Sequence, residues 1–386
     1  MTICNTRTVL GWMAGALAAT TMAVGAQAQE PIKLGAFLSA TGGAAFLGDP
    51  EKKTIELYVE KINADGGVLG RPVQLTIYDD GTKAKQALTF VKRLIDQDKV
   101  DLIIGGTTTG NTMAVINEVE KAGLPFISLA GASVIIDPVK KWVFKTPHTD
   151  RLAVQKIFTD MKVRGLTKIG LLAGSGGFDK SCSGNARALA ESEGVEILAD
   201  ETHGAGDTDM TPQLTKIKNT PGVQTFLYCG FGAPTSIVAK NYKQLGMTIP
   251  HYQTHGSASV RFIKGADGAA EGVRLPAAAL LVVDSLPDSH PQKAVASAYK
   301  AAYEGGYNEP ISTFGGHAYD ALFIAVEAIK RAGSLDKEAV RSEIEKTKGF
   351  IGVDGIFTMA PDNHLGLDND SFVMVEVHDG GWKLQK

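Results

Sequence analysis

The sequence predicts an α/β fold of two doubly wound units in series, and three observations predict it. Short runs rich in Val, Ile and Leu alternate with segments of helical periodicity, the connections between them are short, and the alternation restarts once, just after residue 144. Strands that alternate with helices in this way run parallel, with helices covering both faces of the sheet.

Residues 32–38 form the first strand. The loop 39–48 carries small residues around an exposed-looking Phe46-Leu47 pair, and a helix is expected from about Pro50, with Ile55, Val59 and Ile62 as its face. Glycines and a proline in 63–72 stop it. A strand at 73–78, an amphipathic helix at 87–95 and a strand at 102–104 follow, and a further helix and the run 125–133 complete the first unit. The second unit reads as helix 151–163, strand 168–172, the Gly-rich loop 174–179, a helix ending at Gly194, strand 195–198, helix 210–217, strand 223–228, helix 235–245 and strand 249–253. Two more amphipathic helices at 290–305 and 315–331, and strand-like runs at 352–359 and 372–377, are too few for a third domain. They must return to the two units already made.

Ligands in open parallel sheets collect beyond the carboxyl ends of the strands, here the loops 39–48, 105–110, 129–133, 174–181, 229–235 and 254–259. Two such rims facing each other across a hinge would enclose a small molecule. The most telling rim is the one after Leu102-Ile-Ile104, where Gly105-Gly106 ends the strand and Thr107, Thr108 and Thr109 lead into a helix with Met113, Ile116 and Val119 on one face. Asn111 or Thr112 is placed to cap it. Unpaired N–H groups at a helix start, with three hydroxyls beside them, suit a carboxylate or phosphate, although an ordinary strand-to-helix turn has the same pattern.

The first 28 residues read as a secretory signal peptide, with Arg7, an apolar core at 9–24 and a cleavage site at Ala26-Gln27-Ala28. The expected address is therefore the periplasm. Cys4 leaves with that segment, and nothing later is long and apolar enough to span a membrane. The remaining ~358 residues suit two domains. With 39 basic and 42 acidic residues and no basic run, the chain has no electrostatic footprint for nucleic acid. Cys182 and Cys229 each lie just beyond a strand in the same half, so one bridge between them is geometrically possible, with two thiols as the alternative.

Enzymatic signals are weak. Ala173-Gly-Ser-Gly-Gly177 lacks the leading glycine of a nucleophile elbow, and Gly230-Phe-Gly-Ala-Pro-Thr235 ends in Thr and contains a proline where a phosphate loop would not. The eight histidines never adopt H-x₃-H spacing with an acidic partner or flank a C-x-x-C. Asp79-Asp80 reads as a solvated turn rather than an acid–base pair. No catalytic residue, metal or cofactor is expected.

Several stretches together give a resemblance over nearly the whole chain: Ile32-Lys-Leu-Gly-Ala with Thr41-Gly42, Ile62-Asn-Ala-Asp-Gly-Gly-Val-Leu-Gly70, Tyr78-Asp-Asp80, Gln86-Ala87, Ile104-Gly105, Gly123-Leu-Pro-Phe-Ile-Ser128 and Glu271-Gly272. With these the chain resembles the type I solute-binding proteins of branched-chain amino acid ABC transporters. The resemblance implies two Rossmann-like lobes joined by three crossovers near 148, 279 and 355, closing like a Venus flytrap on a small carboxylate. The lobes would be 29–148 with 279–354, and 149–278 with 355–386. It further implies a monomeric, non-enzymatic periplasmic receptor that hands its ligand to a membrane permease.

Carried over by position, the carboxylate-binding hydroxyl falls on Thr109, and Ala130, Gly131 and Ala132 complete the grip, with Ser133 adjacent where a usual threonine is absent. Aromatic contacts from the second lobe fall on Phe178 and Phe231, and Phe46, Leu47 and Phe314 match first-lobe pocket positions. The departure lies at His255-Gly256, where amino-acid binders of this group place a glutamate for the ligand's ammonium. Losing that partner would cost a desolvated ammonium several kcal/mol. A carboxylate grip without an ammonium acceptor, walled by phenylalanines, suits an aromatic acid of benzoate or phenylpropenoid type. The alternative is a hydrophobic amino acid whose ammonium finds another partner; His255 itself is either a ligand contact or a rim residue facing solvent.

Overall fold

The computed structural model describes residues 1–3 and 30–385. The segment read as a signal peptide, with Cys4, lies outside them apart from its first three residues. The first lobe opens with β1 (Ile32–Leu38), α1 (Ala45–Ala64), β2 (Val73–Asp79), α2 (Ala84–Arg93), β3 (Leu102–Gly105), α3 (Thr109–Ala122), β4 (Phe126–Ser128) and β5 (Val143–Lys145). Its strands form a parallel sheet in the order β2-β1-β3-β4-β5. Successive strand side chains point to opposite faces, so Leu34, Ala36, Leu38, Ile104 and Ile127 meet one apolar cluster and Phe37, Ile103 and Phe126 meet another.

The second lobe follows with α4 (Asp150–Val163), β6 (Lys168–Ala173), α5 (Gly177–Ala190), β7 (Glu196–Thr202), α6 (Thr211–Asn219), β8 (Thr225–Cys229), α7 (Ala233–Gln244), β9 (His251–Gln253), α8 (Val260–Ala266) and β10 (Arg274–Ala278). Its faces divide in the same way: Leu171 and Leu227 face α4 and α5, while Leu172 and Phe226 face α6 and α7. The chain then returns to the first lobe through α9 (Lys293–Tyr307), α10 (Thr313–Ala332), α11 (Lys337–Glu345) and the hairpin of β11 (Lys348–Ile351) and β12 (Ile356–Thr358). It ends as β13 (Phe372–His378) and β14 (Gly381–Leu384), antiparallel additions that give the seven-stranded order β14-β13-β10-β9-β8-β6-β7. The result is the two-lobed α/β architecture with a parallel sheet at the heart of each lobe.

Four details differ from the sequence reading. The helix expected from Pro50 begins at Ala45 and holds Pro50 inside it, so Leu47 is buried and Phe46 half-buried on its first turn. The third crossover falls at 368–371 rather than near 355, because Phe357, Met359, Leu365 and Leu367 still pack in the first lobe's apolar cluster. Strand β10 was hidden by Arg274 and Pro276; the arginine is accommodated by Asp160 and Glu376 at 2.7 and 2.8 Å. Asp80 is not solvated but fully buried, accepting from Ser39 Oγ at 2.7 Å and Thr82 N at 2.9 Å, while Asp79 beside it stays exposed.

Cys182 on α5 and Cys229 at the end of β8 are joined in a disulfide across a sequence separation of 47. The bridge ties the first turns of α5 to the carboxyl end of β8. Converting both cysteines to serine is expected to lower the unfolding free energy by about 2–4 kcal/mol in a urea titration, the contribution of a closed loop of this length. A change under about 0.5 kcal/mol would show that the bridge does not constrain the unfolded chain.

Candidate functional site

Both rims close on one cavity between the lobes. It is lined by Leu47, Glu51, Thr107, Thr108, Thr109, Leu129, Gly131, Pro147 and Phe314 with His317 from first-lobe and crossover segments, and by Phe178, Phe231, His255 and Gly256 from the second lobe. Its empty space, open mouth included, is about 450 Å³.

The first-lobe wall is a strand-to-helix turn. Gly105 and Gly106 adopt φ of 148° and 71°, and a Cβ on Gly105 would stand 2.3 Å from the Phe37 carbonyl, so neither can carry a side chain without strain. Helix α3 begins earlier than its sequence spacing suggests, and its cap is Thr108, whose hydroxyl accepts from Asn111 N at 3.3 Å. Neither Asn111 nor Thr112 caps it. The adjacent Thr109 Oγ1 is buried with no hydrogen-bond partner, next to the free N–H groups of the first turn. An unspent buried hydroxyl beside a helix N-terminus is equipped to hold a carboxylate.

The stretch 130–133 divides. Gly131 lines the cavity, but the Ala130 amide already donates to Ser128 Oγ at 3.2 Å, and Ala132 is packed in the core. Ser133 spends its amide on Asp150 Oδ1 at 2.9 Å and accepts from Asn185 Nδ2 on α5 at 2.9 Å, a bond from one lobe to the other. These three therefore support the wall rather than face its interior. Phe46 likewise lies outside: it borders two grooves at the mouth, its ring beneath Arg261 of the second lobe at 5.9 Å. The remaining positions read from the sequence, Leu47, Thr108, Thr109, Gly131, Phe178, Phe231, His255 and Phe314, come together.

On the opposite wall Phe178 and Phe231 meet edge to face with centroids 6.0 Å apart, and His255 stands edge-on to Phe178 at 5.5 Å. The disulfide lies behind these rings, since Phe178 precedes Cys182 by one helical turn and Phe231 follows Cys229. His255 is buried and is not a rim residue. Burial, reinforced by nearby His148, Lys145 and His317, pushes it well below its ordinary pKa, so it is neutral and its Nδ1 has no partner.

Sequence reading missed Glu51, Pro147 and His317 as lining residues, while Thr107, Leu129 and Gly256 lie in the rim loops it named. Glu51 had a signal: it follows Leu47 by four residues and so shares its face of α1. Burial holds its carboxyl well above the usual range, and the Asp80 charge adds to this against a hydrogen bond from Thr107. His317 is anchored through Nδ1 to Asp354 Oδ2 at 2.5 Å, and burial pushes it down to about 3. Behind it, at the first crossover, Lys145 is fully buried and donates to the carbonyls of Pro147 and His148, at 2.6 and 3.3 Å. Desolvation pushes Lys145 down to about 7.

These features belong to a two-lobed ligand-binding protein, and the chain belongs to the periplasmic binding protein family, whose profile it matches over residues 31–381. It is a periplasmic solute-binding receptor of the ABC-transporter type. It is 25% identical over 354 residues to a leucine-, isoleucine-, valine-, threonine- and alanine-binding protein of Pseudomonas aeruginosa, covering 91% of each chain. It is 24% identical to a Leu/Ile/Val-binding protein homolog of Brucella melitensis, covering 83% of this chain and 84% of that one. Among solved structures it is similar to an extracellular ligand-binding receptor of Rhodopseudomonas palustris HaA2, with TM-score 0.85 and 27% identity over 92% of this chain and 99% of that one. It is also similar to a branched-chain amino acid transporter substrate-binding protein of Streptococcus pneumoniae in complex with isoleucine, with TM-score 0.80 and 25% identity over 92% and 98%.

The lobes stand closed. A Cβ on Gly131 would lie 2.9 Å from His255 Nε2 and 3.1 Å from the Phe178 ring, although the backbone there suits any residue. Gly131→Ala is therefore expected to leave folding nearly unchanged and to weaken ligand binding about tenfold or more by opposing closure; unchanged affinity in calorimetry would show that the two rings yield freely. A second expectation concerns pH. The Lys145 pKa is depressed from 10.5 to about 7, so the unfolded chain binds the extra proton between those values. Its stabilising contribution is present above about 10.5 and lost as pH falls toward about 7. Stability should rise between pH 7 and 9.5 by up to ~1.4 kcal/mol per unit from this group, and Lys145→Met should flatten the rise. An identical slope in the variant would place the buried lysine's titration elsewhere.

Proposed function

We propose that this receptor takes up a small carboxylate without an α-amino group, an aromatic acid of benzoate or phenylpropenoid type, and presents it to a membrane permease after export on its N-terminal signal peptide. The observation that carries this reading is the pairing of an unspent anion grip at Thr109 with an opposite wall of Phe178, Phe231 and neutral His255. The grip is offered by Thr109 Oγ1, the first turn of α3 and Gly131; the rings of Phe178 and Phe231, packed edge to face, supply an apolar wall opposite it. Ala130, Ala132 and Ser133 serve by holding that grip and the closed lobes in place. Monomer is the natural state, since one chain supplies both walls.

A second reading has its own support. Glu51 supplies a carboxyl inside the cavity, and the relatives from Pseudomonas aeruginosa and Brucella melitensis are named as binders of branched-chain amino acids. A hydrophobic amino acid would then place its ammonium against Glu51 instead of the position held by His255.

Ligand binding to the folded state raises the melting temperature by mass action, so a thermal-shift screen of benzoate-like acids against leucine, isoleucine and phenylalanine separates the two readings. Stabilisation by the acids and not by the amino acids is expected; the reverse pattern contradicts the proposal. With the best acid, Thr109→Val should cost ~1.5–3 kcal/mol of affinity. Phe178→Ala and Phe231→Ala should each cost about 1–3 kcal/mol for an aromatic acid and less for a short aliphatic one. Equal losses for both ligand types would mark these rings as structural only.

A further inference from the structure

Helix α1 presents Leu47 and, one turn on, Glu51 to the cavity, and Glu51 is only 1% exposed. A carboxyl so deep in an apolar-walled cleft needs a reason, since burying it without partners is costly. Part of the reason is a chain of hydrogen bonds. Asp80 Oδ1 accepts from Ser39 Oγ at 2.7 Å, Ser39 N donates to Thr107 Oγ1 at 3.0 Å, and Thr107 Oγ1 donates to Glu51 Oε2 at 2.5 Å.

The Thr107 oxygen carries one proton and two acceptor lone pairs: the Ser39 amide donates to one of these, and the hydroxyl donates to Glu51 Oε2. Oε2 is therefore an acceptor. Burial chiefly, with a smaller contribution from Asp80 and against the Thr107 hydrogen bond, favours the neutral carboxyl. With Oε2 engaged by Thr107, Oε1 is the oxygen left for the cavity that Glu51 lines, and it is where a proton would be offered. An O–H at that place donates, and its complement is an acceptor oxygen. An ammonium, which only donates, would first have to remove that proton.

Resting on the carboxylate reading above, we propose that Glu51 is a specificity-determining residue whose Oε1–H donates to a second oxygen of the ligand, so that the receptor prefers acids bearing a hydroxyl or carbonyl oxygen over the bare acid. Thr107 is its positioning residue. The same arrangement explains why a carboxyl is tolerated beside an anionic ligand: it enters the cavity as a neutral donor, with nothing to repel. A bare acid leaves that donor unpaired in the closed cleft, which is where discrimination arises.

The test is calorimetry of the intact mature protein against benzoate and its 2-, 3- and 4-hydroxy derivatives, together with leucine. At least one hydroxylated acid is expected to bind about tenfold or more tightly than benzoate. In Glu51→Leu that ratio should fall to about one, and in Glu51→Gln, whose amide still donates, much of it should remain. The wild-type series stands alone if Glu51→Leu fails to fold: acids that bind with no preference for any hydroxyl position overturn the role of Glu51 and leave the carboxylate reading intact. A ratio that survives in a folded Glu51→Leu overturns it as well. Tight leucine binding that is lost in Glu51→Gln would overturn both, because Glu51 would then be holding an ammonium.

Discussion

Everything in the cleft depends on how closely one backbone and two rings approach at Gly131. With the lobes shut, His255 and Phe178 pack where a side chain at 131 would stand, so first-lobe backbone meets the second-lobe wall directly. Ser133 then bonds Asn185 across the same seam, and Arg261 lies over Phe46 at the mouth. Closure of this kind excludes water, and exclusion of water raises the weight of every hydrogen bond inside.

An anion buried in such a place needs donors that are already oriented and not already spent. The helix start at Thr109 meets that condition because Thr108 takes over capping and Ser128 takes over the Ala130 amide, leaving Thr109 Oγ1 unpartnered. The ionisable groups around the cavity are tuned toward neutrality by burial: Glu51 upward, His255 and His317 downward. A cleft whose own groups are uncharged gives a single ligand charge no internal competitor. The disulfide behind Phe178 and Phe231 fixes the apolar half of the same site.

Much of this was legible in the sequence, for physical reasons that differ by residue. Alternation of apolar strands and periodic helices specified both sheets, and the small-residue loops at strand ends located the rims. Thr109, Gly131, Phe178, Phe231 and His255 were reached through resemblance, whereas Glu51 needed the helix to begin at Ala45 so that its face matched that of Leu47. A proline at 50 pointed the other way, since proline ordinarily marks a helix start. Ala130, Ala132 and Ser133 were placed on the right loop, yet the Ala130 amide is taken by nearby Ser128, and Ser133 gives its amide to Asp150 and its hydroxyl oxygen to Asn185, partners farther along the chain or in the other lobe. Strand β10 was concealed because its Arg274 is neutralised by Asp160, far away in sequence.

The most direct measurement of the binding geometry is a crystal structure of the mature protein grown with a benzoate-type acid. The expected density places the carboxylate on Thr109 Oγ1 and the first turn of α3, with the ring against the wall of Phe178 and Phe231 and the lobes closed over Gly131. A carboxylate turned toward His255 and His317, or an acid bound only in the grooves outside Phe46, would contradict it.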